Sequence, residues 1–302
     1  MYFSLMKKAI LMQKGKNILQ VHLLFSFYLS MVSFTSCQKT TSSGSTALFD
    51  SVPVVKPVVP MINEISGIAD SKVNAGYLWG EEDSGNPPAI FLIDHSGSIF
   101  KNIYIKGAVN RDWEDMALSG TDLYIGDIGD NNQVYSDYTI YTFPEPGKSA
   151  DTISSFSTIR FKYEDGSHDA EAFIVDPTSK DIYLITKRDN NSRIFKLTYP
   201  YSYTSLNIAT QVGTLPYGGV VSASISADGK EILVKTYPAI LHYTRTTQES
   251  IVQVLGKNSS AVPYKMEPLG EAVTFATDNS GYYTLSEKGF SNSVNLYYYK
   301  RK

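Results

Sequence analysis

"NRDWEDMALSGTDLYIGDIGDNN", residues 110–132, sets Asp112, Glu114 and Asp115 at the start of an apolar, strand-like run and returns to acids at its far end. Acids placed so closely repel one another unless a cation lies among them. The pattern is not unique to this stretch. "EISGIADSKVNAGYLWGEEDSGNPPAIFLID" begins at Glu64, "DAEAFIVDPTSKDIYLITKRDNNSRIFKLT" at Asp169, "SASISADGKEILVKTYPAILHYTR" at Ser222 and "EAVTFATDNSGYYTLSEKGFSNSVNLYYYK" at Glu271. With the stretch from Asp112, that makes five units, each reading as strand, polar turn, strand, charged loop, strand.

A fourth strand candidate follows each of the first four units: "SIFKNIYIKG", "STIRFKYED", "NIATQVGTLP" and "SIVQVLG". The fifth unit has none, and an unassigned β-like stretch, "LFDSVPVVKPVVP", precedes the first. That arrangement predicts an all-β fold, a five-bladed β-propeller whose last blade is closed by an N-terminal strand. The prolines of that strand suit an outer edge. Unit starts at 66, 114, 171, 222 and 271 are 48, 57, 51 and 49 residues apart, a blade-like period. A six-bladed propeller with one unrecognised blade is the alternative. The 22 tyrosines and the absence of any long 3.6-residue period agree with an all-β chain.

Residues 1–37 read as a targeting segment. Lys7, Lys8, Lys14 and Lys16 are followed by the largely apolar run from Ile18 to Phe34, interrupted by Gln20 and His22, and then by "SFTSC". The segment resembles a bacterial lipoprotein signal with Cys37 as the lipidated residue, although Phe34 stands where that signal usually has leucine. Gln38 implies, by the same resemblance, export to the outer membrane, so an extracytoplasmic, lipid-anchored protein is expected. Residues 38–46 form a small polar tether, and 47–302 the propeller. Cys37 is the only cysteine of the 302 residues, so no intrachain disulfide can form. A net charge of −3 with scattered lysines and arginines gives no nucleic-acid surface, and a monomer is expected.

In a propeller the first strand of each blade lines the axis. Aligning "SGIA", "EDMA", "EAFI", "SASI" and "EAVT" brings Ser66, Glu114, Glu171, Ser222 and Glu271 to one level; the fourth requires a one-residue shorter turn, without which Val221 takes the place. Carboxylates and hydroxyls facing inward together are costly without a cation. They are hard oxygen donors of the kind Ca²⁺ collects, about six to eight at roughly 2.3–2.6 Å. Zinc is disfavoured, because His22 lies in the signal and the other three histidines are scattered. Another cation, or a water-filled polar channel, remains open. The loops on the same face carry Glu81, Glu82 and Asp83; Asp127, Asp130 and Asn131; Lys187, Arg188 and Asp189; Lys235; and Glu287 and Lys288.

The series Ser66, Glu114, Glu171, Ser222, Glu271, together with "EISGIA", "DWEDM", "DAEAF", "VSASIS" and "GEAVTF", resembles the calcium-activated nucleotidases, the apyrase family of five-bladed propellers. The resemblance spans residues 64–299 and implies one axial Ca²⁺ held by those five residues. It breaks at "EEDSGN", which keeps Glu82 and Asp83 but lacks the family's following arginine. It breaks again at "DHSGSIFKN", which has no match to the family's paired aspartates and glycines. The chain is also similar to uncharacterised secreted propellers with "DWED" and "GDIGDN" motifs.

Two functions follow. A Ca²⁺-dependent hydrolase of phosphate esters or anhydrides would use Asp83 or Asp127 to position water, with Glu82, Lys187, Arg188 and Lys288 holding the substrate; an esterase or lactonase is a variant of it. A binding module would present its mouth, with Trp79 and Trp113 nearby, to a small-molecule, glycan or protein ligand. The lost nucleotide-pocket residues favour the module.

Overall fold

The structure is a computed structural model in which residues 47–302 are described. The signal, Cys37 and the tether lie outside the described residues. The described chain is all-β apart from one short helix, and among the described residues no helix is long and apolar enough to cross a membrane.

Strand β1 (Val54–Pro57) stands first. Then come β2 (Ile65–Asp70), β3 (Tyr77–Glu82), β4 (Ala89–Asp94) and β5 (Ile99–Ile105), paired antiparallel in that order. The second unit is β6 (Trp113–Ser119), β7 (Asp122–Asp127), β8 (Tyr138–Pro144) and β10 (Ser157–Tyr163); the two-residue β9 (Thr152–Ile153) crosses to run parallel to β5. The third is β11 (Ala170–Val175), β12 (Ile182–Thr186), β13 (Arg193–Leu197) and β14 (Asn207–Thr214), whose outer edge joins β10 in parallel. The fourth is β15 (Val220–Ile225), β16 (Glu231–Thr236), β17 (Ile240–Thr244) and, after helix α1 (Ile251–Leu255), β18 (Ser260–Val262). The fifth is β19 (Ala272–Phe275), β20 (Gly281–Leu285) and β21 (Asn295–Lys300), completed on its outside by β1, which pairs antiparallel with β21.

One strand expectation fails. "SIVQVLG" is α1, not a strand. Ser250 caps its N-terminus, accepting from the Gln253 amide while the Gln253 side chain accepts from the Ser250 amide. This capping box starts a helix in a short apolar run that the sequence places as a strand. The outer strand of that unit is the later β18.

The inner strands pack in a closed cycle: β2 on β6, β6 on β11, β11 on β15, β15 on β19, and β19 on β2. Between each neighbouring pair of units lies a separate apolar core, because each sheet buries both faces against its neighbours. Trp79 and Trp113 sit at 0% exposure in the core between the first two units. Trp79 Nε1 donates to Glu145 at 2.9 Å and Trp113 Nε1 to the Val109 carbonyl at 3.0 Å, so both rings pack the frame and present no face to the mouth.

Polar ties cross the boundaries on the face where the inner strands end. Arg245 grips Asp176 with both guanidinium nitrogens at 3.0 and 2.9 Å, Arg301 pairs with Glu231, and Asp70 accepts from the amide and hydroxyl of Thr277 at 2.7 and 2.9 Å.

The N-terminal segment closes the core between the fourth and fifth units. Phe49 is fully buried, 4.8 Å edge-on from the Tyr282 ring, with the Arg301 guanidinium 4.8 Å from its own ring centre. Phe49→Ala should therefore lower the unfolding free energy by about 3–5 kcal/mol in urea titrations, the usual cost of emptying a buried aromatic site. A loss under about 1 kcal/mol would mean that this segment does not close the fold.

Candidate metal and ligand site

Four of the five inner strands carry an irregularity as they leave the mouth. The pairing register skips between Ile65 and Gly67, Trp113 and Asp115, Ala170 and Ala172, and Val220 and Ser222. The skipped residues are Ser66, Glu114, Glu171 and Val221. In the fifth unit Glu271 immediately precedes β19 and holds the same position. A bulge frees one residue from the ladder and re-aims its side chain.

The ring therefore runs Ser66, Glu114, Glu171, Val221, Glu271. Ser222 lies one residue beyond it, at the level of Gly67, Asp115, Ala172 and Ala272. Its hydroxyl donates to Asp115 Oδ1 at 3.2 Å. The shortened turn required to bring Ser222 into the ring is not formed.

Asp115 explains that lower level. It is fully buried and takes the Met116 amide and the Ser222 hydroxyl on Oδ1, and the Ala223 and Phe173 amides on Oδ2. Burial pushes its carboxyl well up, and the four donors, which suit the ionised form, oppose that. Asp115 thus ties the second, third and fourth units across the axis. Glu81 lies against Gly67 here, fully buried, with neither carboxyl oxygen hydrogen-bonded and its carboxyl pushed well up by burial and then by Asp115. A Cβ on Gly67 would stand 2.6 Å from the Met116 amide nitrogen and 2.8 Å from the Asp115 carbonyl carbon, backbone atoms of β6 that cannot give way, so the position requires glycine.

Above it, the acids converge. Oxygens of Asp83, Asp112 and Glu114 lie within 4.8 Å of one another, and so do oxygens of Glu114, Asp169 and Glu171. Glu114 belongs to both groups and is buried, with Ser66 Oγ donating to its carbonyl at 2.8 Å. The backbone of Gly129 runs so close that a Cβ there would meet Glu114 Oε1 and Asp112 Oδ2. Asp112 and Asp169, two residues before the ring glutamates, therefore stand in the cluster itself. Asp169 is also braced, accepting the Asp130 amide at 2.8 Å and Arg188 Nε at 2.6 Å.

Burial comes first among the causes that push these acids up, and their mutual repulsion adds to it. Asp112 reaches about 6, with Asp83 its largest charged neighbour, and Glu114 is held well above the carboxylate range by burial, then Glu171, Asp83 and Asp112. Glu171 reaches about 8 by burial, against the pull of Lys187, and Glu287 about 9 by burial and then Glu271. Asp83 is raised by burial as well.

Two of the basic groups, Lys187 and Arg188, are already engaged. Lys187 Nζ donates to Glu171 Oε1, sits 3.2 Å from the Tyr237 hydroxyl and lies 3.8 Å from Glu271 Oε1; Tyr237 in turn donates to that same Glu271 oxygen. Arg188 is held by Asp169 and Asn131. Lys288 forms no ion pair among the described residues, and its amide donates to the Asn63 carbonyl at 2.7 Å. Glu82 is half-buried, accepting the Asn63 amide at 3.3 Å. Asp127 is buried and uses Oδ1 on the amides of Arg111 and Asp112, at 3.2 and 2.8 Å. Asp83, by contrast, is half-exposed at the rim and part of the acid cluster.

Lys235, expected in a mouth loop, is instead fully buried in β16. Its ammonium faces the Gly270 carbonyl and the Tyr264 hydroxyl, the latter at 3.0 Å. Sequence reading also missed Tyr237, because nothing local marks a tyrosine just beyond β16 as a partner of Glu271. Gly129 could have been found: a second glycine in "GDIGDN" directly after a strand signals close backbone approach.

No family model matches the chain, and no curated protein matches it. Solved structures do. A luciferin-regenerating enzyme is similar at a TM-score of 0.50 and 10% identity, over 82% of this chain and 95% of that one. An auxiliary nutrient binding protein from Bacteroides thetaiotaomicron is similar at 0.47 and 8%, over 84% and 73%. Hydrazine synthase from Kuenenia stuttgartiensis is similar at 0.41 and 14%, over 79% and 71%. At such identities the first likeness speaks for the fold alone: this chain has an all-β, propeller-like fold.

Proposed function

We propose that residues 47–302 form a five-bladed propeller that holds a calcium ion in its axial acid cluster and acts as a binding module. An extracytoplasmic location on a lipid anchor at Cys37 completes the proposal. The observation that carries it is Glu114, shared by two groups of converging carboxylate oxygens, with Glu171 Oε2 beside it buried and without a partner. Every donor in the cluster is oxygen, which suits a hard cation. Asp83, Asp112, Glu114, Asp169 and Glu171 would hold the ion, and its charge would oppose the mutual repulsion of their carboxylates.

The binding reading is preferred over hydrolysis because Lys187 and Arg188, which a phosphate would need, are paired with Glu171 and Asp169. A hydrolytic alternative retains Asp83, half-exposed in the cluster, as the group to position water. Asp127 is spent on backbone amides. The ligand, whether small molecule, glycan or protein, would enter at the mouth.

Thermal melts in EGTA and in millimolar Ca²⁺, with Mg²⁺ as control, test this. A ligand at a hundred times its Kd stabilises by about 2.7 kcal/mol, so a calcium-specific rise in midpoint is expected. Glu114→Gln, which imitates the protonated acid, should keep the metal-free midpoint and abolish the rise. No rise in the native protein, together with no calcium by elemental analysis, would reject the metal.

The acids also set the pH dependence. Asp112 and Glu287 titrate at about 6 and 9 in the fold, above their ordinary 3.8 and 4.5. Stability from keeping them neutral is fully present below the ordinary values and is lost as pH rises through the raised ones. In EGTA the midpoint should therefore fall from about pH 5 to about pH 9, and calcium should flatten the fall. A metal-free midpoint that is level or rising across that window would contradict it.

A further inference from the structure

We propose that Lys187 is an internal counter-cation which a divalent ion displaces, so that filling the acid cluster turns a buried ammonium out into the mouth. The proposal rests on the calcium reading above and adds a regulated step to it.

The ammonium bridges two ring glutamates from different units, Glu171 directly and Glu271 at 3.8 Å and through Tyr237, so it stands where a cation of the ring would be felt most. As a neutraliser it is incomplete. It brings one charge to a cluster of several acids. It satisfies Oε1 of Glu171 and leaves Oε2 buried and unpartnered, on a residue whose carboxylate belongs to the group formed with Glu114 and Asp169. A divalent ion brings twice the charge and can draw oxygens from both groups of acids, which an ammonium with three fixed-length donors cannot.

The lysine is also built to leave. Its backbone is pinned at the end of β12, its amide donating to the Asp169 carbonyl at 2.9 Å and its carbonyl accepting the Gly219 amide at 3.0 Å. Only the side chain, 13% exposed at the rim, holds the ammonium in place. Its four-carbon stem can rotate outward with no change in the strand, regaining the rotamer freedom that burial removes. Ion and ammonium then exclude each other at Glu171, and the mouth gains a free cation when the ion is bound.

Two measurements on the folded domain decide this. Amine acetylation mapped by mass spectrometry should modify Lys187 at least fivefold faster in Ca²⁺ than in EGTA, while buried Lys235 stays protected and Lys288 is equally reactive in both. Calorimetry of Lys187→Met should show calcium bound at least tenfold more tightly than by the native protein, since the internal competitor is gone. If the native protein binds calcium but Lys187 labelling does not change, or the variant binds more weakly, displacement is overturned and the calcium site stands. Calcium bound by the Met variant alone would mean that Lys187 is never displaced in the native protein, which also overturns the proposal. Failure of both proteins to bind calcium removes both readings.

Discussion

Carboxylates buried side by side repel one another and lose hydration, and this molecule brings them together where its inner strands β2, β6, β11, β15 and β19 meet. Much of its architecture is organised around that cost. Bulges at the start of the inner strands deliver Glu114 and Glu171 to the axis, glycine at 129 lets a loop close over them, and Lys187 and Arg188 reach in from the third unit to neutralise part of the charge. One level deeper, Asp115 solves the same problem with four hydrogen-bond donors instead of a cation. The two solutions are stacked along one axis. Asp115 is fully partnered within the chain, whereas Glu81 at its level and Glu171 above it keep carboxyl oxygens without a partner.

Away from the axis the sheets are held by apolar burial between neighbours, and ion pairs cross the boundaries mainly at the face opposite the acids. Asp176 with Arg245, and Glu231 with Arg301, are paired at good geometry in partly buried positions, where such contacts contribute more than they do on open surface. Function and fixation are thereby separated. One end of the axis concentrates unpaired acid, and the other uses acids as rivets.

The repeat was legible because its signals are local: alternation, polar turns and the acid at the head of each unit recur at a near-constant spacing. All five inner strands begin within two residues of the aligned motifs. The failures come from contacts that local pattern does not carry. Ser222 was aligned with the ring by chemistry, but the fourth strand bulges at Val221, and only pairing with β16 decides that register. The short apolar run of "SIVQVLG" suits a strand or a helix, and the capping residues Ser250 and Gln253 decide for the helix. Lys235 was read as a loop cation from its charge, while the fold extends β16 past it and buries it. Asp115, adjacent to a ring acid, was indistinguishable from it until its donors in two other units were seen.

The outermost strand of the fifth unit comes from the beginning of the described chain, with Val54 opposite Tyr298 and Pro57 opposite Asn295. Until those distant segments meet, β21 has an open edge and Phe49 has no pocket. Contacts of such separation form slowly, because a long loop must be closed before they return any free energy. A chain made or exported from its N-terminus can assemble its first units early, but the ring stays open until its final strand arrives. In that interval the two unpaired edges are the places where a second copy could add a strand. Pairing of β1 with β21 therefore acts as a check on folding: only a molecule in which those two strands have met conceals both edges.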